Sequence, residues 1–576
     1  MKAHFPLRRS RRQNAFAPLR LLGRDADRHR TRYLLALSFL ASLATERAHA
    51  ANACGPAAAA PHYLVQCNDI PLNPYASGIS YNMAEGLDLR IGPGITIVPA
   101  RDTLIYGVAA STSGTQDISV TLARGARIRT EGMDAAGILA TGAGNVSVVS
   151  AGAIVTRDAT PPTFDSSGPY GIVADSDGDA GSLRIRLLTT ASVLTDGEAG
   201  AAVYAINDST GAATVDVSGS IETLGLNSDG VLLFNRNNAN NAPASVTLSP
   251  LARVRTRANQ SNGAWILNYG TGTTFPASSG VVQTSGDSSN GFHLQANAGN
   301  ASVMHLELGN GARVITEGDT AVGVALSHEG TGDIRVHLDR DTALLTSGML
   351  SHGLNAEGNG AVLLSQRADS TVTTSGAQAI GVLLIGGSSV NAAVGGTVRA
   401  QGRHATGVAL LARAGGVHLA VAPGASIEGG WQADVAGRDA PLGQPSAGVI
   451  LGGATASTLE NAGAIGAQSD RAIFDEGRID GKAGYLSVLN TGRLTGFVEL
   501  AADGSNRFTN APGGVWEVRH FADTDGNGVR DTHRVAISDF GAPTSRFDNA
   551  PGATVRLAPV APALVKDTAG YYVPGS

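Results

Sequence analysis

A two-part phrase recurs along most of this chain and restricts it to folds built by stacking. The first half is Thr-x-Gly closing an apolar stretch, at Thr130-Glu131-Gly132, Thr195-Asp196-Gly197, Thr284-Ser285-Gly286, Thr316-Glu317-Gly318, Thr346-Ser347-Gly348 and Thr374-Ser375-Gly376. The second half is a glycine followed by an apolar residue, at Gly137, Gly171, Gly200, Gly230, Gly263, Gly291, Gly323, Gly353, Gly381, Gly407 and Gly448. Successive second glycines lie about 26 to 34 residues apart, with one longer final step, a period range that belongs to solenoids and propellers.

One unit reads Ile118-Ser-Val120-Thr-Leu122, then Gly125-Ala-Arg127-Ile128-Arg129-Thr130, then Gly137-Ile138-Leu139-Ala140. Three short stretches of strand formers are separated by glycines, with the alternation of half-buried strands in the first two. Helical repeats of similar period need uninterrupted amphipathic helices, which this glycine density forbids. Propeller blades need four antiparallel strands and usually a recurring aromatic, and aromatics here are only 5% of residues. The expected fold is all-β: a right-handed parallel β-helix with three strands per coil, handed by the general preference of parallel crossovers. Eleven units at the usual strand spacing make a rod of at least about 50 Å. The glycines are expected to supply positive φ at coil corners. The threonines form a column, with hydroxyls either bonding between coils or facing solvent.

The first 50 residues carry eleven Arg or Lys against Asp25, Asp27 and Glu46. An apolar run from Tyr33 to Ala44 and then Ala48-His49-Ala50 follow the pattern of a secretory signal, with cleavage expected after Ala50. The chain as a whole has a formal charge of −6, so the remainder is strongly acidic, which argues against nucleic acid as a partner. Cys54 and Cys67 are the only cysteines; in an oxidising compartment they pair and staple the N-terminal end. The expected organisation is a signal over 1–50, a cap over 51–115, main repeats over 116–450 and C-terminal repeats over 451–576.

One segment has metal-ligand spacing. Asp523, Asp525, Asn527 and Asp531 occupy positions one, three, five and nine of a calcium loop, with Gly528 at six and the Val529 carbonyl at seven. Position twelve is Arg534 instead of a carboxylate, so the loop reads either as a calcium site or as a solvated turn. His520 and His533 flank it. No catalytic motif is present, and no enzyme activity is expected. Asp134, Asp196, Asp229, Asp287 and Asp319 fall near equivalent corners and are read as solvent-facing, while His305, His337 and His418 sit outward on strands.

The arginine-rich leader, the Ala/Gly/Val/Thr-rich solenoid and the scarcity of cysteine together resemble the passenger region of autotransporters, self-exporting surface proteins of Gram-negative bacteria. The resemblance sharpens at Leu486-Ser-Val488-Leu-Asn490, Phe508-Thr-Asn510-Ala-Pro-Gly513 and Phe547-Asp-Asn549-Ala-Pro-Gly552. It implies a secreted or cell-surface rod that acts in adhesion, its partner a host-surface protein, a glycan or a neighbouring cell. A spacer or self-associating coat is the alternative, and a polysaccharide-degrading β-helix a more distant one. The translocator barrel of the family has no counterpart in this sequence, so outer-membrane attachment would come only through such a barrel. The connections Arg157 to Gly168 and Gly430 to Ser446 break the repeat and are the expected contact loops.

Overall fold

The computed structural model describes residues 53–574 except 59–62, 69–72, 102–104, 133, 159–167, 434–445, 480–481, 502–503, 519–521, 530–537, 558–563 and 567–571. The expected cleavage point after Ala50 and most of both expected contact loops therefore lie outside the described residues. Among those residues there is no helix, and the chain is a parallel β-helix. Each full coil has three strands, as in Met304–Leu308, Arg313–Thr316 and Val324–His328. Within the coils each inner strand pairs in parallel with its equivalents one coil before and one coil after; for example, Val314 sits between Val282 and Leu344. Two small antiparallel pairs, Arg478–Ile479 with Lys482–Ala483 and Leu564–Lys566 with Tyr572–Pro574, lie outside this stack.

First strands form one sheet of 17, while second and third strands join in a sheet of 29. The join is made by Ala464–Asp475, which pairs with Ser426–Gly429 at its start and with Val449–Gly453 at its end. Seventeen rungs at the ~4.8 Å strand spacing set a rod about 75 Å long. The rungs begin earlier than the repeat phrase, because Leu64–Cys67 already pairs with Leu87–Ile91.

The interior is one continuous column of Val, Ile, Leu and Ala. In the coil above it takes Met304, Leu306, Leu308, Val314, Val324 and Leu326. Burial of each such side chain contributes roughly 1.5–3 kcal/mol. Both ends are closed differently. At the N-terminal end the Cys54–Cys67 disulfide folds residues 53–58 over the first coil, and Ala53, Cys54 and Ala57 pack against the core. The Tyr81 hydroxyl accepts from the Cys54 N–H at 3.0 Å and donates to the Gly55 carbonyl at 2.8 Å, which fixes the flap. Near the C-terminal end the core turns aromatic: Phe508 and Trp516 rings lie 5.0 Å apart, with Phe540 and Phe547 stacked beside them.

At the corner between first and second strands the glycines carry positive φ as expected, Gly125 at 84°, Gly311 at 78° and Gly424 at 81°, whereas the glycines of the two-part phrase have a different reason. At the corner between second and third strands the residue with positive φ is not glycine but Asn227, Gln260, Ser288, Thr320, Leu350 and Gln378 in successive coils, all between 53° and 58°. The glycines instead allow close approach. A Cβ on Gly291 would lie 2.5 Å from the Gly323 carbonyl oxygen, and one on Gly323 2.6 Å from that of Gly353. The Thr-x-Gly glycines stack the same way, Gly318 over the Gly286 carbonyl and Gly348 over that of Gly318. Two columns made mostly of glycine thus run along the solenoid, interrupted by Ala202 in one and by Asp158 and Ala258 in the other, and at most of these glycines a neighbouring coil's backbone approaches more closely than a Cβ would allow without a local shift.

The threonine column is also resolved in a third way. Thr195, Thr223, Thr256, Thr284, Thr316 and Thr346 are in register and buried. Their hydroxyls neither bridge coils nor meet solvent. Thr256 donates to the Ser261 carbonyl at 2.6 Å and Thr284 to that of Ser289 at 2.6 Å, each tying the corner of its own coil. Coil-to-coil bonding falls to the following serines, whose Oγ accepts a backbone N–H from the coil before: Ser228 N–H to Ser261 at 2.9 Å, Ser261 N–H to Ser289 at 3.0 Å.

Gly291→Ala is expected to destabilise the protein by about 1–3 kcal/mol through overpacking, whereas Gly311→Ala, where nothing lies within 4 Å but φ is 78°, costs only its backbone strain, roughly 1 kcal/mol. Thr256→Val should cost about 1–2 kcal/mol, and Thr195→Val, whose buried hydroxyl has no partner, close to nothing. Chemical denaturation of the four variants measures this; equal losses in the paired threonine variants would refute the corner-tie assignment.

Candidate functional site

The predicted calcium loop is folded by its own side chains. Asp523 is buried, and its carboxylate accepts the N–H groups of Asp525 (3.3 Å), Gly526 (2.6 Å) and Gly528 (2.9 Å). Asp525 accepts from the Asn527 backbone at 3.1 Å, and Asn527 accepts from the Val529 N–H at 2.6 Å. The Asp523 N–H donates to the Gln468 carbonyl at 2.8 Å, and Gly526 lies over Trp431, where a Cβ would come within 2.6 Å of the ring. The loop is therefore a strap laid against the side of the solenoid. Asp531, His520, His533 and Arg534 lie outside the described residues, and among the described residues no group of three or more His, Cys, Asp or Glu converges on a metal position.

The five corner aspartates do not form one column. Asp287 and Asp319 do stack, each carboxylate accepting the backbone N–H of the next coil, from Asp319 at 2.9 Å and Met349 at 2.7 Å. Asp229 is buried and accepts the Asn262 N–H at 2.7 Å. Asp196 ends a second strand opposite Arg157. Asp134 is itself a positive-φ corner residue. The carboxylates of Asp229, Asp287 and Asp319 thus hold coils together. Further along the same corner, His352 replaces asparagine: its Nδ1 accepts the Ile380 N–H at 3.0 Å, which requires a neutral ring. Complete burial accordingly pushes its pKa down to about 4.

Two outer faces carry what the sequence reading missed. The first is an apolar strip on third strands. Val173, Tyr204, Leu232 and Trp265 are in register and point away from the core, yet each is 4% exposed or less. Tyr170 stacks on Tyr204 at 5.5 Å and Trp265 on His293 at 5.3 Å. The same column then runs through His293, Ala325 and Asn355 and is apolar again at Leu383, Ala409 and Ile450, while the neighbouring outer column turns polar at Gln295, Ser327 and Glu357. The signal was present as strands without alternation, such as Val231-Leu-Leu-Phe234.

At the margin of that strip sits Asp175, with its Oδ1 buried and unbonded. Burial pushes its pKa up to about 7; Arg236 pulls it down, and Asp208 and Asp177 push it up. Arg236 itself is paired with Asp208, its Nε donating at 2.6 Å.

The second face is a trough on the outer side of the first-strand sheet, of about 490 Å³. Two side-chain columns build it across five coils. One runs His305, Arg335, Leu363, Asn391, His418, and the other Glu307, His337, Ser365, Ala393, Ala420. Small residues, Ser365, Ala393 and Ala420, fill three successive rungs of the second column, beside the larger Leu363, Asn391 and His418 of the first. The sequence offered these histidines as scattered; aligning units on their glycines places His305, Arg335 and His418 at one position, and that alignment was the available signal.

Between about pH 4 and 7 the folded state retains a proton on Asp175 that the unfolded chain has released, so Asp175 makes stability fall as pH rises through that window. His352 acts oppositely below its ordinary value of 6.5, its contribution being lost as pH falls toward 4. Asp175→Asn should therefore be more stable than wild type at pH 8, by on the order of a few kcal/mol, and indistinguishable at pH 4. Urea denaturation at both values is the check.

No protein-family model, curated protein or solved structure matches this chain.

Proposed function

We propose that the chain is a surface-exposed rod of the autotransporter-passenger kind, which works by attaching its side to a partner rather than by catalysis. The observation that supports this is the trough: an outward, open, chemically mixed surface repeated over five coils of a stiff scaffold. Extended faces of this kind gain strength by adding many weak contacts. Asp229, Asp287 and Asp319 are engaged in coil-to-coil bonds, and the trough holds a single carboxylate, Glu307. The route to the cell surface is part of the same proposal and rests on the arginine-rich leader and its small-x-small site. Within it, Asp523, Asp525, Asn527 and the Val529 carbonyl are the proposed ligands for calcium, closing the strap over Trp431.

Displaying the protein on a non-adherent bacterium is expected to confer attachment to host cells without causing the bacteria to clump. Clumping without attachment would replace the reading with self-association. For the strap, millimolar calcium is expected to raise the melting temperature of the wild type by a few degrees and that of Asp525→Ala by less; an unchanged wild-type melting temperature removes calcium as a ligand.

A further inference from the structure

We propose that the trough over His305–His418 is a binding site for a carboxylate-bearing glycan chain lying along the solenoid axis. This rests on the reading of the chain as a binding rod and gives that rod its ligand class.

The floor is made of Leu363, Ser365, Ala393 and Ala420, a mixture of apolar patches and small polar groups that suits the alternating C–H and hydroxyl faces of a sugar. Among the described residues, the side chains of Ser365 and Asn391 have no hydrogen bond within the protein, so both remain open to hydroxyls. Five rungs at the ~4.8 Å strand spacing give a track about 19 Å long, enough for several sugar units in a row. A peptide strand has no matching edge here, because every backbone group of these inner rungs is already engaged with the coils on either side.

The charge at the ends selects the ligand's own. Arg335 stands exposed at one end and offers a fork to a carboxylate; its neighbour Asp333 approaches only to 3.7 Å and is itself exposed. The charged groups around the imidazoles of His305, His337 and His418 are Glu307, Arg335 with Asp333, and Glu460 beyond Ala420, while Thr458 stands beyond His418 with its Oγ1 2.5 Å from the His418 Nδ1. Near neutral pH the ring of His305 stays uncharged, held below its ordinary pKa by partial burial, with Glu307 pulling it up and His337 and Arg335 pushing it down.

The test uses the purified full chain and four probes: hyaluronan oligosaccharides, polysialic acid, neutral dextran oligosaccharides and poly-glutamate. Binding of at least one carboxylated glycan is expected, with dextran and poly-glutamate about tenfold weaker. Arg335→Ala and His337→Ala should each weaken it about five- to twentyfold. Ala393→Trp, at an exposed position of the floor, should abolish it by filling the track, and Arg184→Ala, on the same sheet far from the trough, should leave it unchanged. Absence of binding to both carboxylated glycans overturns the proposal, as does equal binding of poly-glutamate or dextran, or indifference to Ala393→Trp. Cell attachment that survives Arg335→Ala and Ala393→Trp sinks the trough while leaving the adhesive rod standing. Glycan binding by the purified chain without cell attachment does the reverse.

Discussion

Everything in this molecule depends on coils approaching to the distance of paired strands at every point of their circumference, including the corners. Strand segments reach that distance on their own. At the corners two positions that lack a Cβ in most coils ease that approach, so that the Gly291 backbone can rest on the carbonyl of Gly323. With the corners that close, their polar groups need partners, and Thr256, Ser261 and Asn262 provide them: one ties its own turn, the others reach the coil before or after. The apolar column inside and the polar lacing at the corners are thus two results of one spacing.

The same spacing explains how much could be read in advance. The period, the three strands and the parallel stacking followed from glycine placement and alternation, because these patterns are local and repeat many times. The glycine's purpose did not. A corner glycine in a single sequence looks alike whether it serves φ or proximity, and only the neighbouring coil tells them apart; here left-handed φ is carried by Gln260 and Ser288. The threonine hydroxyls were misplaced for a related reason: their acceptor lies five residues ahead, across a bend whose shape the pattern does not specify.

The candidate binding surface was less legible still. His305 and His418 are 113 positions apart in the sequence and share a face only because coils between them, of unequal length, bring them into one register. Their chemistry is ordinary residue by residue. It becomes a surface when Leu363, Ser365 and Ala393 leave a depression between larger neighbours, a property of differences between units that otherwise look alike. The third-strand outer face teaches the converse: Tyr204, Leu232 and Trp265 departed visibly from alternation, and the deviation marked a second apolar layer.

Register equivalence has a further bearing on how such a chain can change. Because glycine stands over glycine and threonine over threonine from one rung to the next, excising one whole turn would rejoin surfaces that already match, and duplicating one would insert a turn that fits both neighbours. Length is then free to vary while cross-section stays fixed, so the reach of the rod and the number of rungs it presents can drift independently of the architecture that keeps it folded.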